Sequence, residues 1–546
     1  MVPGGGEFLR QFRLPGGGGT LTRLGINGQG MALAGLALAM AVAAALRLPE
    51  LGTWSLWVDE IATAVFVSLT WQDLTGPLAW LETTPPTYYL LIKAWTTVAG
   101  GSDAALRLPS VFAGLASIAV LWRLCREAFG HRAAFWAAMI LAVTGWHIFH
   151  SRDARVYALL TLVVLLALLA GRAFAAQAGS VGQRWIFPAA RLAVLAAFAV
   201  WLHFTGVIAA SMAFIYPTAL IVMRGGFNLR VMSRLTAAAS LSFILMLPPL
   251  ALAWHVAGAD GADGVLWMRD YGTRFAVLSI MRVVLLSPWT IDPWSLLGPA
   301  CAALAALICA ILIWIAMRTG PRIPDRAAMA VTLFGGIGLF LAFNCMHPLV
   351  IPRTLQVLLP LTAALMGAGL AKIRPGVVRV LIFATFIISQ APSLSDAFTA
   401  PPDGSDWRGL SAQLAQEDEP ARPVIAFDVF DALALIRYRA PSAPVAALLM
   451  LPPSDTAMQR FVAGRLLDAP AVWPTDVIAA LCDASVPVTG FFVVERTSPI
   501  LGQVHSSLQA SASASGAQPG IAIGDRRLHL RPWSAPACPP QPPATP

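Results

Sequence analysis

Charge is what this sequence has least of: 12% of its 546 residues are Asp, Glu, Lys or Arg, against 57% that are hydrophobic. That scarcity excludes an ordinary soluble chain. With a mean hydropathy of +0.70, it indicates a protein that crosses a membrane many times. Lysine is nearly missing, with Lys93 and Lys372 alone, so arginines set singly or in small groups between apolar runs carry most of the positive charge behind the net +9. Placement of that kind sets topology and argues against nucleic acid as a partner. Six cysteines are too few for a disulfide scaffold. Cys301, Cys309 and Cys345 fall in apolar runs and Cys125 in a basic connection; Cys482 and Cys538 fall in the polar C-terminal part, where pairing is left open. Also missing are a G-x-G-x-x-G in a strand–helix setting, a P-loop, a CxxC pair and a G-x-S-x-G, which leaves no motif for a soluble nucleotide donor.

What is present is a series of apolar runs, each long enough to cross a hydrocarbon core of about 30 Å as a helix. Spans are expected at 31–49, 108–124, 133–149, 155–175, 186–202, 204–223, 232–254, 295–317, 327–345, 349–371 and 375–391, after a flexible tail over 1–30. No A-x-A cleavage signal follows the first run, so it reads as a retained helix. With the N-terminus inside, every inner connection is basic: Arg123, Arg126 and Arg132; Arg172 and Arg184; Arg224, Arg230 and Arg234; Arg318, Arg322 and Arg326; Lys372 and Arg374. The run from Pro85 to Val98 is too short to span and reads as an interfacial helix, with Tyr88, Tyr89 and Trp95 as an aromatic belt. Residues 50–107 then form one long outer loop, and the part after 391 also lies outside.

This topology gathers ionisable residues on one face. SLWVDEIATA puts Asp59 and Glu60 just beyond the first span; HSRDARVYAL brings His150, Arg152, Asp153, Arg155 and Tyr157; His203, Arg269, Asp270, Arg274, His347 and Arg353 come from later loops. Carboxylates at a membrane boundary are costly and default to function, although acidic residues also simply mark span ends. Carboxylates for proton transfer beside arginines for phosphate are what group transfer from a lipid-linked phosphate requires. Glu82 with His255 or His347 is an open divalent-metal alternative; no metal or cofactor is otherwise indicated.

The order LWVDE, TTPPTYYLLIKAW, ALRLPSVFAGL, REAFGHR, HIFHSRDARVYALL, VIPRTLQVLLP and DWRGLSAQLA resembles the family-39 glycosyltransferases of the GT-C superfamily, over about residues 31–420. Within that family, related to the dolichyl-phosphate-mannose protein mannosyltransferases, the bacterial branch of aminoarabinose transferases and rhizobial galacturonosyltransferases is most similar. The resemblance implies an α-helical polytopic membrane protein of about 11–13 spans, with a GT-C transferase domain over 31–391. It implies inverting transfer of a sugar from a polyprenyl-phosphate donor to a lipid or envelope-glycan acceptor on the extracytoplasmic face of a bacterial plasma membrane, as in lipopolysaccharide or glycolipid synthesis. Asp59 matches the catalytic base, with Glu60 and Asp153 beside it. Arg152, Arg155, Arg269, Arg353, Tyr88 and His203 are the substrate-binding candidates. The chain departs from the family at Thr84, where a His or Lys is usual, at Asp153, where Glu is common, and at Thr354, where Tyr follows the late arginine. A transporter or flippase for lipid-linked sugars and an inactive assembly subunit are the alternatives, although an inverted repeat and mid-span ionisable residues are not evident.

Residues 392–531 read as a small extracytoplasmic α/β domain: a helix over 406–416 and strands over 423–427, 487–494 and 521–530. SASASGAQPG reads as a loop, and the Pro-rich stretch 532–546 as a tail.

Overall fold

The computed structural model describes residues 28–82, 84–258, 272–288, 297–318, 323–346, 350–399, 405–414, 422–426, 429–438, 445–450, 457–467, 479, 481–482, 490–496, 502–520, 522–524 and 528–536. Each expected span falls on helix. Asp103–Phe129, Tyr157–Gln177, Gly206–Met223, Leu229–Val256, Gly298–Arg318 and Ile323–Met346 are long and apolar enough to cross a membrane unaided. Gly28–Ala45, Ile186–Leu202 and Leu359–Leu370 are shorter apolar helices. Phe243, Ile244, Leu247 and Trp254 point outward from the Leu229–Gly258 helix, as side chains do where lipid replaces water.

Two further spans are broken. His131–Val143 and Gly145–Ser151 meet at 66°, and Gly376–Ser389 and Ala391–Thr399 at 46°. A break exposes backbone groups that a bilayer cannot satisfy, and one buried amide ties both breaks together. Gln390, at the second break, accepts from the Gly145 N–H at 3.0 Å and donates to the Leu286 carbonyl at 2.9 Å. Gly145 is required sterically, because a Cβ there would lie 2.2 Å from both Cβ and Oγ of Ser393. Gly145→Ala is therefore expected to cost about 1–3 kcal/mol through overpacking. Its check is the thermal midpoint in detergent, which a harmless substitution leaves at the wild-type value.

Between the first span and Asp103 the chain forms short helices, Val58–Ser68, Trp71–Thr75, Pro77–Leu81 and Thr87–Ala99. Lys93 Nζ donates to the Val67 and Leu69 carbonyls at 2.9 and 2.5 Å, closing the end of Val58–Ser68. A helix does form over Thr87–Ala99, where an interfacial one was expected, but its tyrosines are not a belt. Tyr88 and Tyr89 are buried, and Tyr89 packs edge-on against Phe66 with ring centroids 4.9 Å apart. The apolar face of this helix covers protein, so the tyrosines turn inward.

The C-terminal part carries five strands, β1 (Arg422–Ala426), β2 (Val445–Met450), β3 (Gly490–Arg496), β4 (Ile523–Gly524) and β5 (Leu528–Ser534), in the order β2-β1-β3-β5-β4. β1 is parallel to β2 and β3, while β5 runs antiparallel to β3 and β4. Strand β2 was not legible as such, and the expected strand over 521–530 is a hairpin. Two boundaries are corrected. The Gly502–Ala514 helix takes in the first residues of SASASGAQPG and ends ahead of Gly516, whose φ is +80°, because alternating Ser and Ala oppose a helix only weakly. Pro532 is in β5 opposite Phe492, so the strand runs two residues past the expected start of the tail. Cys482 is disulfide-bonded; Cys538 lies outside the described residues.

Candidate active site

Everything at the site is organised around the first turn of Val58–Ser68. Trp57, its N-cap, donates its N–H to Glu60 Oε2 at 3.3 Å, a capping interaction from the third helical residue. Glu60 also binds Arg107 in a two-point ion pair, Nε to Oε1 at 2.8 Å and Nη2 to Oε2 at 2.5 Å, and accepts the Ala154 N–H at 2.8 Å. Four donors thus fill a carboxylate that is 0% exposed. Burial raises the Glu60 pKa, and the Arg107 charge and hydrogen bonds oppose the rise. Arg107 in turn donates to the Leu51, Trp54 and Ser55 carbonyls, which pins the outer loop to the membrane helix.

With Glu60 held inward, helical geometry turns its neighbour Asp59 another way. Asp59 keeps 21% of its side chain exposed and forms an ion pair with Arg353 Nη1, across 294 residues of sequence. Arg155 Nη1 donates to the Asp59 carbonyl at 3.1 Å and lies 3.5 Å from both Thr63 Oγ1 and the Tyr89 hydroxyl.

Asp153 lies across from Asp59, buried, accepting the Trp57 indole N–H at 3.1 Å with His150 Nδ1 3.4 Å from its other oxygen. Buried here without a hydrogen-bond partner are Arg152 Nη1, Arg155 Nε and the Tyr88 hydroxyl, together with Asp153 Oδ2 and both His150 ring nitrogens. Arg155 and Tyr88 are near neighbours, and unsatisfied donors side by side ask for an acceptor, while Arg152 packs over Phe398 with its guanidinium 4.9 Å from the ring centroid. Arg152, lowered to about 10 by burial and then by Arg107, stays a cation at working pH. His203 does not. Burial, followed by Arg155 and Arg353, holds its imidazole down at about 3, and its Nδ1 accepts the Thr205 N–H at 3.2 Å. The proton of this neutral ring therefore sits on Nε2.

Of the sequence candidates, Asp59, Glu60, Asp153, Arg152, Arg155, Tyr88, His203 and Arg353 come together at one end of the helix bundle. Arg269 and His347 lie outside the described residues. Glu82 is buried and His255 meets the Trp80 ring edge-on at 4.9 Å, but among the described residues no His, Cys, Asp and Glu group has metal-holding geometry. The far end of the bundle carries a different cluster, in which Asp325 pairs with Arg172 and with Arg224 at 2.9 Å.

Residues 83–254, just under a third of the chain, match the family described as dolichyl-phosphate-mannose-protein mannosyltransferase. Among solved structures, ArnT from Cupriavidus metallidurans in the apo state superposes with a TM-score of 0.57 at 15% identity, over 94% of this chain and 100% of that one. The same protein bound to undecaprenyl phosphate gives 0.55 at 14%, over 94% and 100%. An Archaeoglobus fulgidus oligosaccharyltransferase in complex with Zn and sulfate gives 0.50 at 14%, over 89% and 71%. At identities this low the likeness shows the fold: the chain folds as ArnT does. No curated protein sequence matches the chain.

Within this fold, sequence reasoning missed Arg107, whose role is set by a carboxylate 47 positions earlier. The available signal was an arginine opening an expected span, where a charge without a partner is costly. Trp57 was equally invisible, since its indole contact to Asp153 bridges 96 positions.

Proposed function

We propose that this protein is a membrane glycosyltransferase that moves a sugar from a polyprenyl-phosphate donor to a hydroxyl of a lipid or envelope-glycan acceptor, with inversion, and that Asp59 is the general base. The observation that carries this reading is the pairing of a part-open Asp59 with Arg353, beside the Arg155 guanidinium, which holds the Asp59 carbonyl and keeps a buried Nε without a hydrogen-bond partner. As the acceptor oxygen bonds to the anomeric carbon, its proton passes to Asp59. The bond from that carbon to the phosphate oxygen breaks, and polyprenyl phosphate leaves with the electron pair. Arg353, Arg155 and Arg152 are fixed cations suited to the charge that develops on the leaving phosphate. An incoming phosphate competes with Asp59 for Arg353, which frees the carboxylate when donor is present. Glu60 acts as a positioning residue, Asp153 orients the acceptor, and Tyr88 and the neutral His203 donate hydrogen bonds to sugar hydroxyls.

The arginine-rich connections, including Arg172 and Arg224, lie at the end opposite the site, which under the positive-inside rule supports a reading in which the site and the β-sheet part face the extracytoplasmic side. The ArnT relative bound to undecaprenyl phosphate supports a lipid-linked donor. The test uses purified protein in lipid with a panel of labelled polyprenyl-phosphate sugars and a crude envelope-lipid extract. Label is expected to move into the lipid or glycan fraction. Failure across the whole panel overturns the proposal.

A further inference from the structure

The loop that leads into Asp59 is gripped from two sides. Five consecutive carbonyls accept from only two guanidinium groups: Leu51, Trp54 and Ser55 from Arg107, and Gly52 and Thr53 from Arg408 at 2.9 and 3.0 Å. Arg107 belongs to a membrane helix, whereas Arg408 precedes the β-sheet part of the chain, in the DWR segment. Its neighbour Trp407 is fully buried and donates its N–H to Ser55 Oγ at 3.1 Å, and Ser55 Oγ donates to the Ser405 carbonyl at 3.3 Å.

A second grip comes from the helix Val429–Tyr438, which follows β1. The Tyr438 hydroxyl accepts the Leu56 N–H at 2.7 Å and donates to Asp103 Oδ2 at 2.6 Å. Asp103, buried in the first turn of its membrane helix, also receives Arg408 at 2.8 Å and Arg437 at 2.7 Å. Leu56 is followed by Trp57, whose N–H reaches Glu60 and whose indole reaches Asp153. A continuous chain of contacts thus links the extramembrane part to both carboxylates flanking Asp59.

We propose that Tyr438 and Arg408 are positioning residues for the transfer reaction: they set the Leu51–Trp57 segment and, through it, the direction in which Asp59 presents its carboxylate. This rests on Asp59 as the reacting base. Neither side chain touches the reacting atoms, so the expected signature falls on turnover and spares donor affinity. Losing the Tyr438 hydroxyl leaves the Leu56 N–H buried without a partner, and the loop relaxes toward an arrangement that satisfies it.

The test compares wild type with Tyr438→Phe and Arg408→Lys as full chains in lipid nanodiscs, measuring transfer kinetics and amide hydrogen exchange. Tyr438→Phe is expected to lower kcat about five- to thirtyfold, with KM for the lipid-linked donor within about twofold. Amides 55–60 are expected to exchange about tenfold faster while strands β1 and β3 keep wild-type protection. Arg408→Lys, which keeps the cation but loses the planar fork, gives a smaller change in the same direction. Unchanged kcat, unchanged exchange at 55–60, or acceleration spread through the β-sheet each overturns the proposal. No transfer by wild type sinks the assigned reaction instead, and the exchange arm still decides whether these residues set the loop.

Discussion

Asp59→Asn is expected to lower transfer by about a hundredfold or more, in line with the loss of a positioned general base. The substitution keeps shape and removes only the capacity to take a proton and the negative charge facing Arg353. Because Asp59 is part-exposed and its ion pair sits at the rim of the site, folding should be nearly unaffected and donor binding should hold or tighten, since Arg353 is released to meet phosphate. The informative comparison is therefore kcat against donor affinity in one preparation. Equal transfer by mutant and wild type would remove Asp59 from the mechanism.

Glu60→Gln one residue later should behave in the opposite way. It leaves the Arg107 charge buried without a countercharge, and breaking such a pair costs about 3–5 kcal/mol. The expected result is a sharply lower thermal midpoint in detergent and little folded protein to assay. Replacing both partners by apolar residues often restores stability elsewhere. Here it should not, because Arg107 also serves three loop carbonyls. A Glu60→Leu, Arg107→Leu double variant with a wild-type midpoint would show that the loop does not depend on this grip. These two outcomes together would separate the adjacent carboxylates into one that reacts and one that holds.

The helices were legible because each run had a length and a polarity that a bilayer dictates, and the broken spans still read as spans because a bend does not change apolar length. Asp59, Asp153 and Arg353 were placed together by topology alone, since odd and even loops fall on opposite faces. What stayed hidden was direction. Sequence grouped Tyr88 and Tyr89 in an aromatic belt but could not say that protein rather than headgroups lay against them, and it gave adjacent Asp59 and Glu60 no distinguishable surroundings. Arg107, Arg408 and Tyr438 act through backbone carbonyls and amides, which have no signature in residue identity. The β-sheet part was read in outline only, with β2 overlooked and the strand past Pro532 cut short, because β2 is a six-residue apolar run without alternation and runs that short give weak periodicity.

The Gln390 amide has a consequence for biosynthesis. Gly145 precedes Gln390 by 245 residues, so the bend that aims the His150–Arg155 segment is inserted long before the side chain that stitches it arrives. Arg353 reaches Asp59 across a still longer interval. The early helices must therefore wait in the bilayer with the catalytic end unfinished, and a nascent chain stopped short of residue 390 would be integrated, correctly threaded and inert.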